Sequence, residues 1–343
     1  MGARDPVLLP RVAISMGDPC GVGPEICAVA LSDARVRAAL VPQLFGDAGA
    51  FAAACALRGL ADPFAPRAGG PPPGELVETT RLPAGERVFG RAFAPASGHA
   101  QVRGGGHVQG EAALAYVDAA IDAVLAGRAD ALCTAPLSKH RVALAHPGFQ
   151  GHTEHLAARF GAEVAMMLAG PRLRVVLATN HLALSEVPRR LTAEKIAFVI
   201  RLTNRELSIR FGLSNPRIAV CGLNPHAGDG GLFGDEEARL VAPAIARAQS
   251  EGIDASGPHP ADGLFPRAVR GAFDAVVALY HDQGLIPAKL LDFRETVNVT
   301  LGLPHPRTSP DHGTADDIAG QGLADAEPMV SALLLAAQLA RGR

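Results

Sequence analysis

Several things are scarce in this sequence, and each scarcity excludes something. With 32 basic and 34 acidic residues the formal net charge is only −2, so there is no surplus of positive charge for nucleic acid or anionic membrane. The five cysteines (Cys20, Cys27, Cys55, Cys133, Cys221) are odd in number, scattered and free of any C-x-x-C pair. That excludes a disulfide framework and a cysteine-rich zinc site. The longest apolar helix candidate, "VSALLLAAQLA" near the C-terminus, is too short to span a bilayer. The opening stretch, "MGARDPVLLPRVAISMGD", lacks the apolar segment of a signal peptide. The expectation is a soluble, cytoplasmic protein with neither membrane nor nucleic acid as partner. Internal repeats, low-complexity tails and a G-x-G-x-x-G fingerprint are also missing.

Lysine is scarce too: Lys139, Lys195 and Lys289 stand against 29 arginines. A GC-rich genome accounts for most of the bias. Where arginine has taken the positions that need only charge, however, a surviving lysine marks a place where a compact amine matters. Lys289, eight residues after His281, is singled out on that ground.

What is present reads as an α/β enzyme. The 343 residues suffice for two domains or one large unit, with 48% hydrophobic and 19% charged residues. Strand-like apolar runs alternate with helical patterns, the signature of mostly parallel sheets. "RVAISMGD" reads as a strand, followed by a glycine turn and a helix from Pro24. "GEAALAYVDAAIDAVLAG" reads as a helix closed by Gly127, and "DALCTAP" as a buried strand. "GAEVAMMLAGPRLRVVLATNH" reads as a hairpin. "LTAEKIAFVIRLTNRELSIRFG" reads as a helix capped by Thr192 and stopped at Gly212. Residues 61–98, rich in proline and glycine, read as an irregular surface excursion.

Three apolar runs each deliver a histidine at or just past their C-terminal end: "RVVLATNH" (His181), "RIAVCGLNPH" (His226) and "AVVALYH" (His281), spaced by 45 and 55 residues. Ligand sites of open α/β sheets gather outside the carboxyl ends of strands, and three neutral imidazoles with an open fourth position hold catalytic divalent metals. One such histidine would be an ordinary loop residue; the shared placement makes the trio a candidate metal site.

Neighbouring segments add chemistry. "NPHAGDGGLFGDEE" carries four glycines that let a backbone approach a ligand, although a plain glycine turn with Asp235 capping the next helix accounts for much of it. "GHTEH" places His152, Thr153 and His155 at a helix start, where backbone N–H groups bind anions or Thr153 simply caps. "GLPHPRTSPDHGTADDIAG" supplies Arg307, suited to clamp phosphate or carboxylate, and then Asp311, His312, Gly313, Thr314 and Ala315.

Together, "SMGDPCGVGPEI", "GHTEH", "CGLNPHAGDGG", "YHDQGL" with Lys289, "VNVTLGLP" and "RTSPDHGTADDIAG" resemble the ordered motif series of the 4-hydroxythreonine-4-phosphate dehydrogenase family of pyridoxal phosphate (vitamin B6) biosynthesis, over about residues 11–325. More distantly, "GDPCGVGPE" and "HGTADDIAG" are similar to the glycine turn and nucleotide loop of isocitrate and isopropylmalate dehydrogenases. The resemblance implies two α/β/α domains with mixed, mostly parallel sheets and an active site in the interdomain cleft. The first domain would comprise residues 1–145 plus 296–343. The second, 146–295, would carry the metal histidines and a homodimer interface at which the active site lies. It also implies that His181, His226 and His281 bind a divalent metal (zinc, magnesium or cobalt). His152, Thr153, Lys289, Asn298 and Arg307 would hold the phosphorylated substrate, and residues 311–315 would lie near NAD or NADP. Two departures stand out: Cys20 where a small residue is common, and His155 in place of an aromatic.

The implied reaction oxidises 4-phosphooxy-L-threonine at C3 to 2-amino-3-oxo-4-phosphooxybutanoate, which decarboxylates to 3-amino-2-oxopropyl phosphate. Lys289 or Asp262 (in "HPADGLF") would accept the hydroxyl proton, and the sequence leaves both open. Two other readings stand beside it. One is a related dehydrogenase acting on D-threonate or D-erythronate 4-phosphate or a cyclic diol. The other is a metal-dependent lyase or hydrolase without nicotinamide, against which "HGTADDIAG" weighs.

Overall fold

The computed structural model describes residues 8–65, 74–82 and 106–342. Two compact units form: residues 1–161 with 304–341, and 162–303 with 342–343. Relative to the division expected from the sequence, residues 146–161, 296–303 and 342–343 therefore fall on the other side. The physical reason is visible in the elements: the "GHTEH" helix stays with the first unit, and the strand after residue 296 pairs with the hairpin of the second.

The strands, in chain order, are β1 Arg11–Ser15, β2 Val41–Gly46, β3 Glu75–Glu78, β4 Ala131–Thr134, β5 Ala165–Ala169, β6 Arg174–Leu177, β7 Ile218–Cys221, β8 Ala255–His259, β9 Ala275–Ala278, β10 Val297–Leu301 and β11 Arg307–Pro310. In the first unit the order is β3-β2-β1-β4-β11, all parallel. Parallel strands are covered on both faces and read as continuous apolar runs. Accordingly, β4 is buried throughout, and Val12, Ala13 and Ile14 of β1 are fully buried. The Gly106–Leu125 helix packs on β1, β2 and β4, and the Glu327–Arg341 helix on β4 and β11.

In the second unit the order is β10-β5-β6-β9-β7-β8. The hairpin β5–β6 and the β10–β5 pair are antiparallel; β6, β9, β7 and β8 run parallel. One face of these strands (Val175, Leu177, Ala219, Cys221, Val276 and Ala278) closes a core with Leu264 and Leu285. The Ala193–Arg210 helix packs against β6, β7, β9 and β10. Its start follows the expected chemistry: Thr192 Oγ1 accepts the N–H of Lys195 at 3.1 Å, and Gly212 past its end has φ of 71°.

Of the expected 61–98 excursion, β3 falls within residues 74–82, while residues 66–73 and 83–98 lie outside the described residues. The five cysteines are free thiols. Among the described residues no helix is long and apolar enough to cross a membrane.

Candidate active site

The parallel run β6-β9-β7-β8 sets four strand ends side by side, and each delivers one candidate residue to that edge. His181 follows β6, His281 follows β9, His226 follows β7 and Asp262 follows β8. The pairing continues past β6 and β9. Ala178 N–H donates to Ala278 O at 2.8 Å, and Thr179 Oγ1 donates to Leu279 O at 2.7 Å. This extension lays the rings of His181 and His281 next to each other, centroids 5.5 Å apart.

"HDQG" now has a reason at every position. Asp282 Oδ1 lies 2.7 Å from Nδ1 of His281, which leaves Nε2 as the free donor atom. The buried Gln283 bridges two strand ends: its Oε1 accepts the N–H of Leu279 and its Nε2 donates to Gly222 O, both at 2.7 Å. Gly284 lets the His281–Asp292 helix lie directly on β6, because a Cβ there would come within 2.7 Å of Leu177 Cδ2 and Val175 Cγ1. Gln283 escaped sequence reasoning, since a glutamine between an aspartate and a glycine carries no periodic signal.

His226 begins a run of five left-handed residues, His226 to Gly230, with φ between 43° and 82°. Only glycine adopts such backbone freely, so His226, Ala227 and Asp229 are held there by their surroundings. Just before the run, Glu237 accepts the N–H of Leu223 at 2.8 Å, the N–H of Asn224 at 2.7 Å and the amide of Asn224 at 3.0 Å. Burial alone would raise its carboxyl, but these hydrogen bonds keep it below the usual carboxylate range. The segment after the loop opens as a π turn at Glu237–Val241 with no side-chain cap; Asp235 instead pairs with Arg239 at 3.3 Å. The His226 ring packs against Phe233, centroids 6.3 Å apart.

The expected trio is therefore only partly assembled. His181 and His281 adjoin, but among the described residues no group of three or more His, Cys, Asp or Glu lies close enough to hold a metal ion. The donor chemistry of the pair fits a divalent metal; the left-handed loop leaves His226 outside it. Lys289 is also displaced from the histidines. It lies on the same helix as His281, eight residues on and so about 12 Å along the axis, with Nζ 6.0 Å from the Phe293 ring centroid. Asp262 shares the strand-end edge, exposed in the first turn of its helix. Asn298 sits in β10 opposite Leu168, its Oδ1 buried without a hydrogen-bond partner. A recess lined by Arg172, Arg174, Arg270 and Phe273 lies at the amino ends of β6 and β9, opposite the histidines.

The first unit gathers the anion chemistry. The His152–Phe160 helix starts from Gly151 (φ 145°) with no side-chain cap, so Thr153 lies inside the first turn and does not cap it. Its first N–H groups thus remain available to an anion. Nε2 of His152 is buried without a partner. Burial, reinforced by the positive charges of Arg307, His155 and Lys139, pushes the His152 pKa well below the usual histidine range. Arg307 is only 2% exposed and donates to Thr134 Oγ1 at 2.5 Å; burial pushes its guanidinium down to about 10, still charged at neutral pH. Lys139 lies against Gly151, where a Cβ would fall 3.2 Å from its Nζ. Lysine scarcity singled out Lys289, yet Lys139 is the lysine beside this cationic cluster. His155 lies 2.8 Å from Asp118 Oδ1, close to Arg159 on the same carboxylate.

In the 311–315 loop, Nε2 of His312 is buried without a partner, and nothing lies within 4 Å of a Cβ built on Gly313. An orphaned ring nitrogen beside open backbone fits a polar ligand such as a nucleotide.

Residues 93–336 match the family model described as pyridoxal phosphate biosynthetic protein PdxA. The chain belongs to this family. A 4-hydroxythreonine-4-phosphate dehydrogenase of Geobacter metallireducens is 50% identical over 339 residues, covering 97% of this chain and 96% of the relative. A relative from Symbiobacterium thermophilum that carries the name of a D-threonate 4-phosphate dehydrogenase is 40% identical over 338 residues, covering 96% and 97%. The crystal structure of the 4-hydroxythreonine-4-phosphate dehydrogenase of Klebsiella pneumoniae superposes with a TM-score of 0.81 at 37% identity, covering 96% of this chain and 99% of that one. The PdxA-family fold is thus the mixed, mostly parallel α/β architecture described above.

Proposed function

We propose that the chain oxidises 4-phosphooxy-L-threonine with NAD in pyridoxal phosphate biosynthesis, forming 2-amino-3-oxo-4-phosphooxybutanoate, which loses carbon dioxide to give 3-amino-2-oxopropyl phosphate. The observation that carries the reading is the buried cationic cluster. Arg307 and the unpartnered Nε2 of His152 meet an uncapped helix start, and that combination suits a phosphate monoester dianion. In this assignment Arg307 and the N–H groups near Thr153 bind phosphate oxygens, and neutral His152 donates or accepts one hydrogen bond. Asn298 adds an amide contact to the substrate and Lys289 a charge.

NAD, when bound near Asp311, His312, Gly313, Thr314 and Ala315, supplies the hydride acceptor; NADP is the other candidate. A divalent ion (zinc, magnesium or cobalt), held by the adjoining His181 and His281, would supply Lewis acidity toward a hydroxyl and its ketone product, and the expected trio would be complete only with His226 drawn to them. The chain itself must take the C3 hydroxyl proton. Asp262 is better placed than Lys289 for this, because it shares the strand-end edge with the histidines. Asp282 orients His281.

The family's relative named for D-threonate 4-phosphate supports a second reading. Both substrates carry a 4-phosphate and a C3 hydroxyl, and they differ at C2, an amine in one and a hydroxyl in the other. The phosphate cluster does not distinguish them. NADH absorbance measured with each substrate decides. Faster turnover of 4-phosphooxy-L-threonine supports the first reading, preference for D-threonate 4-phosphate the second, and no NADH with either sinks both.

The homodimer belongs to the same proposal. On the His281–Asp292 helix and its cap, Ile286, Leu290 and Phe293 are 62%, 85% and 63% exposed. Their i, i+4, i+7 spacing makes one apolar stripe that a second copy of the chain would cover.

A further inference from the structure

The glycine turn near the chain start and the loop after β11 are remote in sequence, and one arginine ties them. Arg141, in the Lys139–Ala145 helix, is 3% exposed. Its Nη1 donates to Asp18 Oδ2 at 2.8 Å, and its Nη2 donates to Asp316 Oδ2 at 2.8 Å, with Nη1 also 3.3 Å from Asp316 Oδ1. Asp18 is fully buried and also accepts the N–H of Cys20 at 2.9 Å. Backbone ties run alongside: Val22 N–H donates to Thr314 O at 2.9 Å, and Gly320 N–H donates to Glu25 Oε1 at 2.5 Å. Gly21 sits so close to the loop that a Cβ would fall 2.8 Å from that of Thr314.

Within these ties the loop is strained. Ala315 has φ of 43°, a left-handed conformation that a residue with a Cβ keeps only where its surroundings over-determine it. Asp316 is the next residue. We propose that Arg141 is a positioning residue for the nucleotide: anchored on Asp18, its guanidinium holds Asp316 and with it the turn at Ala315, shaping the loop that receives NAD. The inference rests on the placement of NAD at residues 311–315.

Replacing Arg141 would leave Asp18 buried beside no cation and threaten the fold. Asp316, whose side chain is 35% exposed, is the better probe, because Asp316→Asn leaves the Arg141–Asp18 pair intact. The experiment titrates the full-length protein with NADH, following nicotinamide fluorescence, for Asp316→Asn, Asp316→Asn with Ala315→Gly, and His312→Ala. Asp316→Asn should raise the NADH Kd at least tenfold while the KM for 4-phosphooxy-L-threonine at saturating NAD stays within twofold. Adding Ala315→Gly should recover part of the affinity, since glycine adopts the left-handed conformation unaided. A Kd within twofold of the parent in Asp316→Asn, with His312→Ala weakened, overturns the coupling alone. Unchanged Kd in both overturns the nucleotide loop and the coupling with it. Equal loss of substrate and NADH affinity also overturns the proposal, because it marks general damage.

Discussion

Arg307 and His152 show what burial does to a polar side chain that is to meet an anion. Taking a guanidinium out of water costs free energy that an incoming phosphate returns as a short, charge-assisted contact. Arg307→Ala should therefore cost about 2–3 kcal/mol of substrate binding, roughly 30- to 150-fold in KM; steady-state kinetics with an unchanged KM would remove Arg307 from the phosphate. For His152 the sign follows from its depressed pKa. An unfolded histidine protonates near pH 6.5, and the folded one only below that. Between the two values the unfolded chain holds the extra proton, so stability falls as pH drops through about 6.5, by at most ~1.4 kcal/mol per pH unit. The melting temperature of His152→Asn should fall less steeply than the parent's between pH 6.5 and 5; parallel curves would show that His152 does not titrate this way. At this scale sequence reasoning reached Arg307 and His152 from residue type and position. It set Lys139 aside in favour of Lys289 and passed over Arg141, whose partners Asp18 and Asp316 come from distant segments.

Among the elements, the His281–Asp292 helix does the most work, presenting His281 at one end and lying flat on β6 through Gly284. Gly284→Ala would force a methyl group into Val175 and Leu177. Overpacking of this sort costs about 1–3 kcal/mol, and urea unfolding should show it, with turnover falling as His281 shifts. An unchanged midpoint would mean the helix slides without penalty. Loss of the metal should act at the same edge: His281→Ala and His181→Ala should each bind less cobalt by equilibrium dialysis and lose turnover, and chelation should do so reversibly. Full activity in a verified metal-free preparation would remove the metal from the reaction. The longer apolar strands and the amphipathic helices were legible in the sequence because their apolar periods are local; β2, β3, β8, β11 and the His281–Asp292 helix were not read from it. The left-handed run from His226 was not legible either, because no apolar period marks it, and the segment leading into it is braced by Glu237 from beyond the loop.

For the whole molecule the exposed stripe Ile286, Leu290 and Phe293 bears on assembly. Light scattering should find a particle of about twice 35.4 kDa, and Leu290→Asp should convert it to monomer with reduced activity. A parent that is monomeric at assay concentration would remove the interface from the function. The same helix carries Lys289 beside Phe293, two turns from His281.

By itself the sequence determined the mostly parallel α/β class, the family, the placement of three histidines past strand ends, and those elements with a strong apolar period, such as β1, β4, the β5–β6 hairpin and the Ala193–Arg210 helix. Each of these is written in local periodicity or in contiguous motifs, and local patterns survive without knowledge of the fold. Only the tertiary structure decided which strands neighbour one another, and so that β6, β9, β7 and β8 line up their candidate residues along one edge. It also decided that His181 meets His281 while His226 packs on Phe233, and that Arg141 joins Asp18 to Asp316. The pairing that brings His181 to His281 and the ties of Arg141 each reach across 100 or more residues. Which distant partner a side chain finds is settled by the packing of whole elements, and no short window of sequence encodes it.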